Sequence, residues 1–455
     1  MKKIFTLCCL AAATCANAQT LTKFNTESIE NGYQIMDISN NGKYIGGVTA
    51  QNEMFMIEVE TKKTVIKEML DEWGAEVRGV SNNGIGVGYN GPAATLSING
   101  DFKIIEEATE EYNTLAEDIT DDDKIIVGSI NSNTYMEGWQ KKPCVWIDGV
   151  RTMLPEPTTE QIGFNYNGAS AKRVSADGSV IMGHLIADIG EPAALWIKDG
   201  DTYKLDSIWK GKFRPTQWDD ELGDFREYDE PYLTFQWANV SANGKYALVI
   251  ISEYLGEEEI EIYEGYTYTT VLQTENRIGI YNIETKELKI ITVDGSRGID
   301  AETDLTPTDI SDDGTVIGYT GDGSFGSPRL GFILKAGEEQ PRLLKDVYSQ
   351  FEEFTTYDDN GINSPLGITA DGRYITGFGY NVAEMEIDGE VWPMSYIEGY
   401  VLDTQAVSDG ISNLTVNTKK NTEYFTVDGR KVAAPVKGLN IIKTANGETR
   451  KIFVK

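Results

Sequence analysis

Along most of this chain apolar and polar residues alternate with a period of two, in short runs that stop at Asp-Gly, Asn-Gly or similar pairs. That period puts every second side chain on one face of a strand, and the stops are tight reversals. The clearest case is Lys172-Arg173-Val174-Ser175-Ala176-Asp177-Gly178-Ser179-Val180-Ile181-Met182-Gly183. A strand enters a Ser-x-Asp-Gly corner, glycine accepts the positive φ that the reversal demands, and a β-branched run leaves it. The corner recurs as Ile38-Ser39-Asn40-Asn41-Gly42, Val80-Ser81-Asn82-Asn83-Gly84, Ile119-Thr120-Asp121-Asp122-Asp123, Val240-Ser241-Ala242-Asn243-Gly244, Ile310-Ser311-Asp312-Asp313-Gly314 and Ile368-Thr369-Ala370-Asp371-Gly372. Seven copies make an array.

Behind each corner the same order of events follows. A second strand comes first, as in Tyr44-Ile45-Gly46-Gly47 or Thr315-Val316-Ile317-Gly318, and all copies but the fifth carry a glycine four or five residues past the turn. The expectation is that a side chain there would obstruct a neighbouring strand or sheet. A third, aromatic or β-branched strand follows, as in Val145-Trp146-Ile147 or Leu195-Trp196-Ile197, then a turn such as Asp148-Gly149, then a short fourth strand. Four antiparallel strands per repeat, spaced from about 40 residues upward, predict an all-β fold: a seven-bladed β-propeller of four-stranded antiparallel blades over residues 19–407. Helical solenoids need a 3.6-residue apolar period and parallel β-helices use shorter coils.

Ser-x-Asp-Gly-x-x-Ile followed by a small residue, an aromatic-rich strand and Asp-Gly resembles the TolB-type propeller repeat of secreted bacterial proteins, over residues 34 to about 405. The third copy departs from it with Asp123 in place of glycine, and most copies lack the proline that such repeats favour after the serine. The resemblance implies architecture and no activity, since the motif belongs to the scaffold.

The seventh copy ends after Tyr400-Val401-Leu402 without a clear fourth strand, while Thr20-Leu21-Thr22-Lys23-Phe24 precedes the first repeat without a partner. The N-terminal segment is therefore expected to supply the outer strand of the last blade and close the ring.

Repeat spacing grows along the chain, and the added residues enter only between strands two and three or between consecutive blades. In an up-down blade both connection types lie on one face of the disc, so one face is elaborated and the other plain. The elaborated face is rich in rings, and Trp139, Trp218, Tyr228, Tyr232, Tyr254, Tyr357, Tyr380 and Trp392 are the candidate ligand-binding residues. Loops on a rigid frame are where recognition resides, and rings with polar neighbours suit glycan stacking or peptide anchors. The alternation of Ile260-Glu261-Ile262-Tyr263 and Tyr266-Thr267-Tyr268 predicts a protruding hairpin around Glu264-Gly265.

Composition then narrows the chemistry. The 455 residues carry a formal charge of −32. The segment from Ile411 is about +6, so the body is strongly anionic and the change marks a domain boundary. Such a body repels phosphate backbones and anionic lipid headgroups, which argues against nucleic-acid binding. Met1-Lys2-Lys3, the apolar run from Ile4 and Ala16-Asn17-Ala18 have the parts of a signal peptide over residues 1–18. No other run approaches the length of a transmembrane helix. The expected location is extracellular or the outer-membrane surface, with the periplasm as the alternative. Cys8, Cys9 and Cys15 would leave with the signal, so Cys144 could form no internal disulfide and is expected to be a buried structural thiol.

One histidine, His184, fills a strand-end slot that Tyr89, Ser129, Tyr319 or Phe378 occupy in other copies. A single histidine makes no Ser-His-Asp triad and no multi-histidine zinc site. There is no Gly-x-Ser-x-Gly elbow, and Asp121-Asp122-Asp123 lacks the spacing of a calcium loop. No catalytic residue, metal or cofactor is assigned, and the acids of the loops are read as a solvated face.

From Leu414 the pattern changes to Tyr424-Phe425-Thr426-Val427-Asp428-Gly429-Arg430-Lys431-Val432, then Lys437-Gly438-Leu439-Asn440-Ile441-Ile442, then a basic terminal strand. Three short strands predict a small β module over residues 408–455. It resembles the C-terminal sorting domain of the Por (type IX) secretion pathway of Bacteroidota, with Asn440 where that family has tyrosine. The resemblance implies passage across, or attachment to, the outer membrane through secretion machinery. Two functions remain: an exported non-enzymatic propeller that binds a glycan or an extracellular protein through its elaborated face, or a carboxylate-pair glycosidase using the same face.

Overall fold

A computed structural model describes residues 19–24, 32–70, 74–132, 141–158, 168–186, 192–206, 217–219, 224–226, 232–263, 266–324, 326–387, 390–405, 423–426, 430–432, 435–443 and 449–454. Residues 1–18, expected to be a signal segment, and Trp139 and Tyr228 lie outside these residues.

Seven sheets follow one another along the chain, each built on four antiparallel strands; in blades 1 to 6 these run in sequence order from inside to outside, and blade 5 adds a fifth strand paired to its second. Blade 1 holds Tyr33–Ile38, Tyr44–Thr49, Met54–Glu58 and Thr64–Lys67, and blade 2 Ala75–Val80, Ile85–Asn90, Ala93–Ser97 and Phe102–Ile104. Blades 3 to 6 begin at Tyr112–Ile119, Ala169–Val174, Tyr232–Val240 and Leu305–Ile310. Blade 7 runs Asn363–Ile368, Tyr374–Ile387, Glu390–Asp403, and its fourth strand is Thr20–Phe24. The N-terminal strand closes the ring as expected.

The core is distributed over the ring. Among the described residues seven buried apolar clusters occur, and each joins one blade to the next: Met54 and Met56 meet Val77 and Leu96, Trp196 meets Val127, and Phe24 and Val401 meet Ile35 and Phe55. No blade could bury its faces alone, so stability comes from neighbour on neighbour.

The corners explain their own sequence. In six of them the Ser or Thr hydroxyl donates to the Asp or Asn two residues on, at 2.6–2.9 Å (Ser311 to Asp313, for example), and that same side-chain oxygen accepts the amide two residues further along. The hydroxyl in turn accepts an amide of the departing strand, as from Val180 at 3.0 Å. The closing glycine has positive φ, and Asp123 takes the same conformation at φ 66°. Asp is among the few residues that tolerate it.

Every inner strand also carries a β-bulge at one position, at Met36, Arg78, Glu117, Lys172, Ala238, Thr308 and Leu366. The bulge accounts for the strand-two glycine. A Cβ on Gly183 would stand 1.9 Å from the Ser170 carbonyl oxygen, and one on Gly88 the same distance from that of Glu76. The obstruction comes from the inner strand of the same blade.

Two short helices, α1 (Leu344–Val347) and α2 (Glu352–Asp359), fill the connection from blade 6 to blade 7. Leu344, Tyr348, Phe354 and Tyr357 are buried there in one cluster with Tyr400. Their spacing is a local 3.6-residue period that the strand pattern on either side conceals.

A small second unit contains residues 403–455. Its strands Glu423–Thr426, Lys431–Val432, Gly438–Lys443 and Thr449–Val454 form one antiparallel sheet of four rather than three strands. The extra one arises because the stretch 424–432 pairs with itself, Tyr424 opposite Val432. Asn440 is buried and exchanges hydrogen bonds with the Val436 backbone, so the polar side chain is satisfied inside the sheet.

Candidate binding face and axial core

The residue after each bulge, one before the buried Ile or Val that leads into the corner, faces the axis in four blades as a polar hook. Asp37 accepts from the amide of Val80 in blade 2 at 2.7 Å, Asp118 from Val174 in blade 4 at 2.9 Å, and Asp309 from Ile368 in blade 7 at 2.7 Å. Asn239 of blade 5 donates to Asp309 at 2.7 Å. Where blade 2 has Gly79, a Cβ would meet Asp118 at 2.6 Å, so glycine makes room for the next blade's hook. Arg173 is the cation among these carboxylates. Together they line a cavity of about 50 Å³, room for a few water molecules and too small for a sugar ring.

Burial raises all three acids: Asp309 to about 7, Asp118 to about 6, and Asp37 upward with added repulsion from Asp118, while Arg173 offsets part of the effect. On the bulge itself Glu117 lies buried between Arg78 at 2.6 Å and Lys172 at 2.7 Å. Burial alone would raise Glu117, but the two cations outweigh it and hold it at about 2.

Toward the plain face the corners are tied together round the axis. Ala176 donates its amide to Ala242, Asp312 to Ala370, and Asn243 to the Asp312 carboxylate, while Asn40 of blade 1 reaches Asp121 of blade 3 at 2.9 Å. These polar groups are consumed by structure. Cys144 is buried and burial pushes its thiol up, away from reactivity. His184 is a buried strand-end residue whose ring lies 5.6 Å from Trp237.

The opposite face carries the enlarged connectors. In blade 5 the second strand, Tyr246–Tyr263, outruns the inner strand at Tyr254 and continues as a two-stranded arm with Tyr266–Gln273. This is the hairpin expected around Glu264-Gly265. In blade 7 pairing with the inner strand ends at Asn363 and Gly379, and Tyr374–Ile387 and Glu390–Asp403 run on as a second arm.

The candidate rings separate on this frame. Trp392 stands on the blade 7 arm, 51% exposed, beside Val391 at 61% and exposed Met394, with exposed Val382 on the facing strand. Tyr380 is half-buried at the base of that arm. Backbone register sets Tyr232 opposite Tyr254 in blade 5, and Trp218 opposite Phe225 in a separate two-stranded sheet. Tyr357 is no ligand contact: it is fully buried on α2, stacked on Tyr400 at 5.9 Å, and its hydroxyl donates to Glu398 at 2.7 Å. Its place in the helical stripe, not in a loop, is the reason. The axial hooks and the Arg78, Glu117, Lys172 group went unread in the sequence. The signal for the axial residues was a polar residue immediately before the buried Ile or Val of the corner in copies one, three, four, five and six, and for the ion-paired group a charged residue one position earlier in copies two, three and four.

This is therefore a seven-bladed β-propeller with one plain and one elaborated face. No family model matches the chain, and no curated protein matches it. Among solved structures it is similar to hydrazine synthase of Kuenenia stuttgartiensis, with 13% identity over 82% of this chain and 97% of that one and a TM-score of 0.41. It is similar also to oligogalacturonate lyase of Vibrio parahaemolyticus, with 12% identity over 85% and 96% and a TM-score of 0.46. TolB of Acinetobacter baumannii shares 11% identity over 67% and 66%, with a TM-score of 0.34. At such values nothing about ligand or activity follows, and the fold stands on the sheet order described above.

Proposed function

We propose that this chain is an exported, non-enzymatic propeller that binds a glycan or another protein through the face built by its long connectors. The observation that carries the reading is the blade 7 arm, where Trp392 and Val391 are more than half exposed on a two-stranded extension of a rigid sheet. Apolar side chains in that position are not needed to bury the ring, and exposed apolar groups rimmed by polar ones mark interaction sites. The axial carboxylates offer no competing site, since each hook is engaged by a neighbouring blade. Residues 1–18 would direct export and be cleaved, and the basic C-terminal sheet would engage secretion machinery or hold the protein at the outer-membrane surface.

Glycan-array and pull-down binding by the mature protein tests the reading. Binding lost in Trp392→Ala with an unchanged melting curve supports it, and turnover of a glycan abolished by one carboxylate substitution would replace it with an enzyme. Deleting residues 408–455 is expected to change where the protein accumulates in cells.

A further inference from the structure

The two arms share one chemistry, carboxylates without cations beside exposed apolar side chains. Blade 5 carries Glu253, Glu257, Glu258, Glu259, Glu261 and Glu264 between Tyr246 and Gln273, and no Lys or Arg. Blade 7 carries Glu384, Glu386, Asp388 and Glu390 between Tyr380 and Tyr396, again without a cation. Among the described side chains of the arms, Glu384 and Glu390 are exposed beside Val382, Val391, Trp392 and Met394, and Leu255 and Ile260 are exposed on the other arm. A two-stranded ribbon gains little stability by itself. Apolar residues at 391, 392 and 394 are consecutive enough to occupy both faces of the ribbon, because neighbours on a strand point to opposite sides.

Resting on the reading that this face is the binding face, we infer that its partner is a cationic protein surface with an apolar recess, engaged by the arms. Charge complementarity selects the partner: the arms bear only anions, so acidic glycans and the equally anionic arms of a second copy are repelled. Apolar contact at Trp392 and Val391 supplies the short-range part of the interaction, and the carboxylates supply orientation and encounter rate. Among the described residues the outer edges of the arms pair with no further strand, so they add backbone donors and acceptors that an extended cationic segment can meet.

The test measures binding of four probes to the mature protein: an alternating Leu-Lys peptide, its Leu-Glu counterpart, polygalacturonate and dextran. The Leu-Lys peptide is expected to bind, to weaken at least tenfold on raising salt from 50 to 500 mM, and to weaken at least tenfold with either Val391→Ser/Trp392→Ser or Glu384→Lys/Glu390→Lys. Glu284→Lys/Glu287→Lys, on the turn between the outer strands of blade 5, is expected to leave affinity within twofold, and melting curves check that each variant folds. Equal losses from the arm and turn variants would mean that general acidity attracts the peptide, and would overturn the inference. Binding of dextran or polygalacturonate that depends on Trp392 would overturn the cationic partner but keep the face. If no probe binds in a Trp392-dependent way, both the inference and the proposed function fail.

Discussion

The carboxylate of Asp309 in blade 6 accepts the amide of Ile368 in blade 7 at 2.7 Å, and it also takes the Asn239 side chain of blade 5 at 2.7 Å and its own neighbour's amide, Ile310, at 2.8 Å. One side chain thus couples three blades at the axis. Asp309→Ala strands these donors in the interior, each at a cost of ~1–3 kcal/mol. A loss of about 3 kcal/mol or more is expected, read as a lower denaturant midpoint at unchanged slope. An unchanged midpoint would show that the hook does not hold the blades.

The same residues make stability depend on pH in an unusual direction. Asp309 near 7, Asp118 near 6 and raised Asp37 all favour the neutral form when folded. Such groups stabilise the fold fully below the unfolded carboxyl value of about 4, and the contribution is lost as pH rises through 6 to 7. Glu117 works the other way, but its contribution is lost only as pH falls toward 2. Melting temperature is therefore expected to be higher at pH 5 than at pH 8, with the difference reduced in Asp309→Asn. A melting temperature that rises steadily from pH 5 to 8 would contradict this.

The corners made the ring legible in the sequence, because each Ser-x-Asp-Gly needs a hydroxyl, a carboxyl or amide oxygen, and a positive φ at fixed offsets, and few other residues serve. Closure by Thr20–Phe24 was legible from a missing strand at one end and an unpaired one at the other. The axis was not: Asp37, Asp118 and Asp309 find their partners one blade away, a relation that local spacing does not record. Tyr357 was misplaced because a loop-length argument does not distinguish a helix folded into the core from a solvent loop. Trp392 alone among the candidates combines the expected place with a described, exposed side chain.

Glu117 tests the charged group beneath the hooks. Glu117→Ala takes the anion from buried Lys172 and leaves Arg78 only its 3.5 Å contact with Glu76, and breaking a buried pair in this way costs ~3–5 kcal/mol. Glu117→Leu combined with Lys172→Met is expected to recover part of that loss, as judged by chemical denaturation of the single and double variants. Equal loss in both would assign the cost to packing instead.

Removing residues 19–24 opens the outer edge of blade 7 and takes Phe24 out of the cluster it shares with Tyr33 and Val401. An exposed strand edge pairs with whatever is available. Lower thermal stability and concentration-dependent association in size-exclusion chromatography are expected, and adding back a peptide of residues 19–24 is expected to reverse both. A truncated chain that melts with the intact one would deny the strand its closing role.

Hydroxyl-radical footprinting of the protein, free and with the alternating Leu-Lys peptide, tests the proposed division of the ring into a binding face and a plain face. The arms are expected to be protected at Val391, Trp392 and Met394, while Lys124, Lys245 and Arg373 at the corners keep their reactivity. Protection at the corners with unchanged labelling of Trp392 would place recognition on the side assigned here to scaffold.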